Sequence, residues 1–435
     1  MDADVIVIGA GAAGLAAAQK LAGRSLRVLL IEARDRVGGR VLTRPVAGLV
    51  TPAELGAEFI HGPAEETFDL LRDSGVAAID TGGESWVCDG AGLRRDEDDF
   101  ASAAGIFEGA RSLPDDESAD RFLRRFEGDA GKRAMVSAAR AFVEGFEAAD
   151  PALASARAIA DEWLSGVDLR SARPYGGYGP IFGRMRDACA AAGVRIALST
   201  HARNVAWRRG EVRVEVAGSR GGARALHARA AVVTLPVGVL RHRGDETAVA
   251  FEPELPAEKL GSLARIEMGH VVKVLLAFRT AFWERVRHER YRGAAFLHCD
   301  AQPFAAYWMQ TPVRSELVAA WAGGPRAIAL RGASEAELVE IAVNGFGVLL
   351  DEPVLARAEL IGGMTHDWSR DAFSRGAYSY VAVGGGDARA VLAEPLDGAL
   401  FFAGEATSTD GQGGTVNGAL KTGRRAAEEA AAALA

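Results

Sequence analysis

The sequence predicts an α/β fold in which a parallel-sheet domain is interleaved with a second, α+β domain. Three observations predict it. Residues 4–40 read as strand, glycine turn, helix and second strand in immediate succession. The same texture, short buried strands alternating with helices, returns at 181–250 and again at 400–435. Between these returns lie a helical stretch from about 82 to 173 and a β-rich one from about 264 to 383, neither with that alternation.

The opening unit carries the most information. Val5-Ile6-Val7-Ile8 has the length and β-branching of a buried parallel strand. It ends in Gly9-x-Gly11-x-x-Gly14, and an alanine-rich helix follows. Gly9 permits the tight turn, Gly11 lets a pyrophosphate approach the backbone, and Gly14 lets the helix lie close to the strand. The helix N-terminus offers N–H groups and a positive dipole end to phosphates. A second strand at 27–31 ends at Glu32, the right distance on for a carboxylate that accepts from a ribose hydroxyl. An acid there argues against a ribose 2′-phosphate. The unit is therefore expected to bind an adenine dinucleotide. Arg34 and Arg36-Val37-Gly38-Gly39-Arg40 follow at once, and bare glycines beside guanidinium groups suit a second loop lying against a pyrophosphate. That arrangement resembles the extended fingerprint of FAD-dependent oxidases better than that of nicotinamide dehydrogenases, so FAD is the expected cofactor.

Length and composition bound the rest. At 435 residues two or three domains are expected. Residues 1–80, 178–262 and 386–435 are assigned to the FAD-binding domain; 81–177, expected helical, and 263–385, expected as sheet, to the substrate-binding domain. The net charge of −8 is spread along the chain, which gives no reason to expect nucleic acid or an anionic membrane surface as a partner. Cys88, Cys189 and Cys299 form no CxxC pair, and the histidines show no metal-binding spacing, so neither disulfide nor metal is expected. A strand beginning near residue 4 leaves no room for a signal peptide, and no apolar run is long enough to span a bilayer. The expected location is cytoplasmic.

Along the chain, Gly56-Ala57-Glu58-Phe59-Ile60-His61-Gly62 has small residues followed by polar and aromatic ones, as expected where backbone lies against a flat ring. His61 reads equally well as a site residue or a satisfied loop histidine. The acidic runs at 94–99 and 115–117 read as solvated helix or loop faces. Amphipathic helices are expected at 140–146 and 152–164, and the Pro/Gly-rich stretch 174–180 breaks the pattern where the chain crosses back. A helix at 181–192, a strand at 194–198, a hairpin from 204–207 and 211–216, and a strand at 230–235 stopped by Pro236 follow. The second layer brings strands at 271–278, 305–309 and 317–321, then a helix over 335–350.

The chemistry is expected at two places. Residues 400–405 form a short strand ending in Gly404-Glu405, and Gly411-Gln412-Gly413-Gly414-Thr415-Val416 then enters a helix running to the C-terminus. Bare backbone before a helix N-terminus stabilises negative charge on a reduced isoalloxazine ring. Lys273 interrupts the apolar run 271–278. A lysine there is costly to bury unless paired or solvated, although alternation also permits an exposed position.

Taken with Glu54-Leu55-Gly56-Ala57-Glu58-Phe59-Ile60-His61-Gly62, Met268-Gly269-His270-Val271-Val272-Lys273, Trp368, Phe373-Ser374-Arg375-Gly376-Ala377-Tyr378-Ser379-Tyr380 and the C-terminal AGE…GTVNGALKTG, the chain resembles the flavin monoamine oxidase family over nearly its full length. It stands nearest the branch of polyamine oxidases and lysine-specific histone demethylases. The resemblance implies a Rossmann-like FAD-binding domain of the GR2 type. Lys273 matches the lysine that holds a water against flavin N5, Trp368 the tryptophan packed beside the ring, and Tyr378 one wall of the aromatic cage that aligns the amine. Glu32 and Glu405 match acids on the ribose and ribityl sides, and Val205 matches the strand residue that meets the adenine. Gly39, Arg40, Gly56, Ala57, Glu58, Gly404, Thr415 and Val416 complete the implied cofactor set. Ala377 stands where the monoamine oxidases carry the cysteine that tethers FAD, so the cofactor is expected to be non-covalent. Thr415 stands where they carry the second cage tyrosine, which resembles the polyamine oxidase branch and opens one wall to longer substrates; His61 in its Phe-Ile-His-Gly context resembles the same branch. The demethylases' long helical insertion is absent, so a histone substrate is not expected.

What the resemblance implies is oxidation of a primary or secondary amine at its α-C–H, polyamines ahead of monoamines. The imine is hydrolysed to an aldehyde and O2 is reduced to H2O2. Glu58 and Glu162 are candidate anchors for a distal ammonium, and both also read as surface acids. A monoamine or L-amino-acid oxidase, the latter needing an inward arginine that adjoining Arg375 does not guarantee, remains open within the family. Outside it stand a FAD-dependent C–C desaturase, against which Lys273 with Tyr378 speaks, and a non-catalytic flavin-binding protein. No G-x-S-x-G or GxxxxGK[ST] is present to support a serine hydrolase or an NTPase. The expected partners are a small amine and O2; monomer and homodimer both stand open.

Overall fold

Five parallel strands are collected from distant parts of the chain into one sheet, in the order Arg195–Ala197, Val28–Ile31, Val5–Ile8, Ala230–Val233, Leu400–Phe402. A computed structural model describes residues 1–88, 92–96, 104–164, 171–218 and 222–435 of the chain. The opening strand is buried on both faces, and its alternation sorts the two cores. Val5 and Val7 face a helical layer with Leu15, Phe182 and Leu420. Ile6 and Ile8 face the opposite layer with Val205, Val212 and Val214. The helical layer consists of Ala12–Ala22, Gly179–Ala191 and Val416–Leu434. Small residues set how closely they pack: a Cβ on Gly423 would lie 2.2 Å from the Ala13 carbonyl oxygen. The opposite layer is a four-stranded sheet, in the order Ala223–Ala228, Glu211–Gly218, Thr200–Arg208, Ala250–Glu252.

A second, seven-stranded sheet runs Leu360–Thr365, Val271–Phe278, Leu317–Gly323, Ala306–Met309, Ala294–His298, Glu84–Cys88, Leu93–Asp96. Val274, Leu276 and Phe278 turn to a core that includes Leu338 and Phe346 of the helix Glu335–Leu349. Val271, Leu275 and Ala277 face the other way, with Leu55, Trp308 and Trp368. Lys273 shares the parity of Val271 and Leu275, so it faces the interior between the sheets, and it is 3% exposed.

Several expectations need correction. The stretch after residue 80 is not purely helical: Glu84–Cys88 and Leu93–Asp96 pair with each other and extend the second sheet through a parallel contact to Ala294–His298. Residues 94–96 of the acidic run are thus strand rather than helix or loop: they pair with Ser85–Val87, which in turn pair with residues about 210 positions downstream; 97–99 lie outside the described residues. The hairpin at 204–216 gains a third strand, Ala223–Ala228, and its first strand starts at Thr200. Ser171–Pro174 is a short strand pairing with Ile60–His61 and Ala78–Asp80. The helices expected at 140–146 and 152–164 are Arg133–Gly145 and Ala156–Trp163, the second begun by a Ser155 cap accepting from the Ala158 N–H at 3.0 Å.

Candidate active site

The carboxyl ends of the parallel strands open onto a cavity of about 1120 Å³, walled on its far side by the seven-stranded sheet. Gly9, Glu32, Thr234 and Gly404 line it where the first sheet ends, and Val271, Lys273, Phe296 and Trp308 line it from the second. A crevice outside the carboxyl ends, where neighbouring connections diverge, is where open α/β sheets bind ligands.

The cofactor end follows from local structure. Gly9 has φ +105°, and a Cβ on Gly14 would lie 1.8 Å from the Gly9 carbonyl oxygen, so the helix can start this close to the strand only with glycine there. Gly14 itself does not line the cavity; Gly9, Gly11, Ala12 and Ala13 do. No side chain caps that helix, so its first N–H groups face the cavity free for an anion. Glu32 is oriented by the Ala10 and Arg34 N–H groups, at 2.8 and 2.9 Å. Arg34 reaches Asp371 and, at 2.8 Å, Ser374. Arg40 donates to the Ala377 carbonyl and to Glu405, both at 2.8 Å. Glu405 also accepts from the Ser379 hydroxyl at 2.6 Å and the Gly414 N–H at 3.1 Å. Burial pushes its carboxyl up, but Arg40 and Arg389 prevail and hold it below the ordinary range. Glu405 is thus the clasp that joins the Arg40, Ser379 and Gly414 loops. These uncapped amides, bare glycines and paired arginines fit a flavin dinucleotide, whose pyrophosphate would lie against Gly11 and Gly39.

At the other end, Trp368 donates from Nε1 to the Leu55 carbonyl at 2.9 Å, and a Cβ on Gly56 would come within 3.1 Å of its ring. Gly56 and Ala57 line the cavity beside it. Tyr378 donates to the Phe146 carbonyl at 2.6 Å, and burial holds its hydroxyl protonated, well above the usual tyrosine range. Its ring lies 3.2 Å from where a Gly414 Cβ would stand. His61 pairs with the Ser171 hydroxyl at 2.9 Å, and burial pushes it down to about 4, so it is neutral near pH 7. Thr415 lines the cavity, but its hydroxyl is committed to the helix: it accepts from the Gly418 N–H at 2.9 Å and donates to the Gln412 carbonyl at 2.8 Å. Val416 lines the cavity as the first helical residue.

Val205 departs from its expected position. It is fully buried beneath the sheet and does not reach the cavity, whereas Thr200, His201 and Ala202 of the same strand do. A β-bulge between Ala202 and Asn204 shifts the register and separates the two. Arg375 turns away from the cavity to Asp245 and Thr247, at 2.9 and 2.6 Å.

The two candidate anchors also part company. Glu58 is neutralised: Lys273 donates to it at 2.6 Å, Arg173 at 2.8 Å and Trp308 at 3.0 Å. Burial pushes its carboxyl up, but the charges of Lys273 and Arg173 overcome that and hold it at about 2. Glu162 lines the cavity together with Glu147, which no sequence signal marks. Glu147 accepts from Trp163 Nε1 at 2.6 Å. Burial and the facing Glu162 charge raise its carboxyl well above the ordinary range. The pair belongs to the Tyr378 end: Phe146, which accepts from Tyr378, adjoins Glu147, and a Cβ on Gly413 would lie 3.0 Å from a Glu162 oxygen.

The sequence profile of the family described as flavin containing amine oxidoreductase matches residues 93–431, and that of an NAD(P)-binding Rossmann-like domain matches 7–74. Polyamine oxidase 2 of Arabidopsis thaliana is 28% identical over 98% of this chain and 87% of its own length. Polyamine oxidase 3 of Oryza sativa subsp. japonica is 28% identical over 98% and 88%. Among solved structures, wild-type putrescine oxidase bound to putrescine superposes with a TM-score of 0.80 at 21% identity, covering 98% of both chains. Cyclohexylamine oxidase from Brevibacterium oxydans IH-35A gives 0.80 at 21%, covering 100% of this chain and 99% of the other. At that identity the structural likenesses establish the fold.

Proposed function

This chain belongs to the flavin-containing amine oxidoreductases and is a FAD-dependent enzyme acting on amines, and from that premise we propose that its substrate is a diamine or polyamine. The observation that carries the proposal is a pair of carboxyls, buried Glu147 and half-buried Glu162, in the wall of the cavity at its Tyr378 end. Two carboxyls facing each other resist joint ionisation; the nearby Arg389 offsets only part of that cost, since both carboxyls remain raised, and a second ammonium from the substrate would relieve more of it. Glu58 is already paired and does not compete for it. The relatives named polyamine oxidase and the fold shared with putrescine oxidase support the same reading.

Gly11, Gly39, Gly56 and Trp368 line the space that would hold non-covalent FAD, which when bound would supply the acceptor for the hydride equivalent from the amine α-carbon, with O2 as the final acceptor giving H2O2. The residues of the chain do the rest. Tyr378, with its hydroxyl tied to Phe146, holds a fixed ring against which an uncharged amine nitrogen is aligned. Neutral His61 and the aromatic rings of Phe59, Phe146 and Trp308 keep bulk water from that end. Arg375 is turned outward, so it supplies no partner for an amino-acid carboxylate. All three cysteines are free, which fits a reducing compartment, and the cytoplasm is the proposed location.

An anaerobic absorbance titration of the holoprotein with putrescine, spermidine, spermine, phenethylamine and an L-amino acid tests the proposal. Putrescine or the longer amines should bleach the flavin band at the lowest concentrations. Glu147→Gln and Glu162→Gln should each weaken diamine binding by about 1.5–3 kcal/mol, roughly ten- to hundredfold, and leave phenethylamine little changed. Bleaching by phenethylamine or the amino acid alone would keep the family and discard the polyamine.

A further inference from the structure

Lys273 does not stand alone in the cavity wall. Its Nζ donates to one oxygen of Glu58 at 2.6 Å, lies 3.4 Å from the Gly56 carbonyl oxygen and sits 5.4 Å from the Trp308 ring centroid. The other oxygen of Glu58 accepts from Arg173 Nε at 2.8 Å and Trp308 Nε1 at 3.0 Å. Arg173 is held in turn by the Thr311 and Met309 carbonyls, at 3.2 and 3.3 Å, and its guanidinium lies 4.4 Å from the Phe59 ring centroid. Three separate segments converge on one carboxylate, and both of its oxygens are occupied. One oxygen anchors it; the other is left for Lys273.

We propose that Glu58 is a positioning residue for Lys273: its carboxylate, braced by Arg173 and Trp308, fixes the ammonium beside Gly56 at the wall of the flavin site, so that the two residues act on the cofactor as one unit. The reason is physical. A lysine on a four-carbon stem has many rotamers, and a buried ammonium without an anion is strongly disfavoured. Glu58 removes both problems at once and leaves the trio of Arg173, Glu58 and Lys273 with one net positive charge. The other titratable groups facing this wall cannot take over. Burial raises the Glu54 carboxyl to about 7, and it is already engaged by Thr43 and Tyr178; His61 is neutral. With Glu58 replaced by an amide, two cations would face each other in a buried site, and Lys273 would lose the anion that fixes its place.

The inference rests on the cavity's being the FAD site. Its deciding measurement is made on bound FAD with no amine present, so it stands apart from the choice of substrate; amine-driven bleaching is a second readout. The midpoint potential of the flavin is measured across pH 6–10 in wild type, Glu58→Gln, Lys273→Met and the double variant. Glu58→Gln should shift the potential in the same direction as Lys273→Met and reshape its pH dependence, and the double variant should add nothing to either single change. Amine-driven bleaching should slow on the order of tenfold in Glu58→Gln and no further in the double variant. Trp308→Phe removes one brace while keeping an aromatic ring, and should produce a smaller shift in the same direction. If Glu58→Gln fails to fold, this variant and Lys273→Met decide the matter. Wild-type potentials with only a lowered melting temperature, or shifts that add in full, would overturn the proposal. Bound FAD that responds as expected but that no amine bleaches would refute the substrate reading and leave this one intact.

Discussion

The buried acids of this protein show how identical side chains are given different work by their neighbours. Glu58 is ionised because two cations touch it, Glu405 because two arginines and a hydroxyl do, and Glu54 has only neutral donors. Burial therefore wins at Glu54 and raises its carboxyl to about 7 from 4.5. A folded value above the unfolded one means that its stability contribution is complete below about 4.5 and is lost as the pH rises through 7. Above that, its ionisation costs the folded state on the order of 3 kcal/mol. Glu54→Gln keeps an acceptor for the Tyr178 N–H and cannot ionise. Its melting temperature relative to wild type should thus be higher at pH 8 than at pH 4.5. Equal differences at both values would show that the Glu54 carboxyl does not titrate in this way.

At the scale of elements, helix starts build the phosphate-facing end of the cavity and strand faces build its far wall. Two helices that begin at the cavity start differently. Ala12–Ala22 has no side-chain cap, so its amides remain for an anion, whereas Thr415 caps Val416–Leu434. Thr415→Ala should cost about 1 kcal/mol of stability, a fall of a few degrees in melting temperature, with FAD retained. Gly14→Ala is a harsher change, because a Cβ would stand 1.8 Å from the Gly9 carbonyl oxygen. The first helix would have to move off the strand, at a cost of about 3 kcal/mol. Purified Gly14→Ala should be depleted in FAD by absorbance as well as less stable. Full FAD occupancy at wild-type stability would mean that the glycine's close approach is not what shapes the phosphate end.

At the scale of the molecule, the cavity joins two sheets that share no strand, so whatever fills it ties them together. FAD binds only the folded chain, and at a free concentration about a hundredfold above its dissociation constant it adds about 2.7 kcal/mol. Stripping the cofactor should therefore lower the melting temperature, and adding FAD back should raise it in proportion to the logarithm of its concentration. A melting temperature indifferent to FAD would contradict this coupling. Among the described residues, no helix is long and apolar enough to cross a membrane.

What the sequence determined by itself is what local chain geometry decides. Gly9, Gly11, Gly14 and Glu32 lie within one strand–helix–strand unit, where spacing alone sets their places, and Lys273 stands out because a charge in an apolar strand is costly wherever the strand goes. The family was legible for the same reason, since its motifs are contiguous. What only the tertiary structure decided depends on partners far away in the chain. The bulge at 202–204 leaves Ala202 at the cavity and Val205 beneath the sheet, and the strand at 84–88 joins the second sheet because residues 294–298 pair with it. Glu147 meets Glu162, and Arg173 and Trp308 meet Glu58, through packing that no spacing encodes. Periodicity can say that an acid is at a given position; whether it is ionised or neutral is settled by the charges and donors that the fold brings to it.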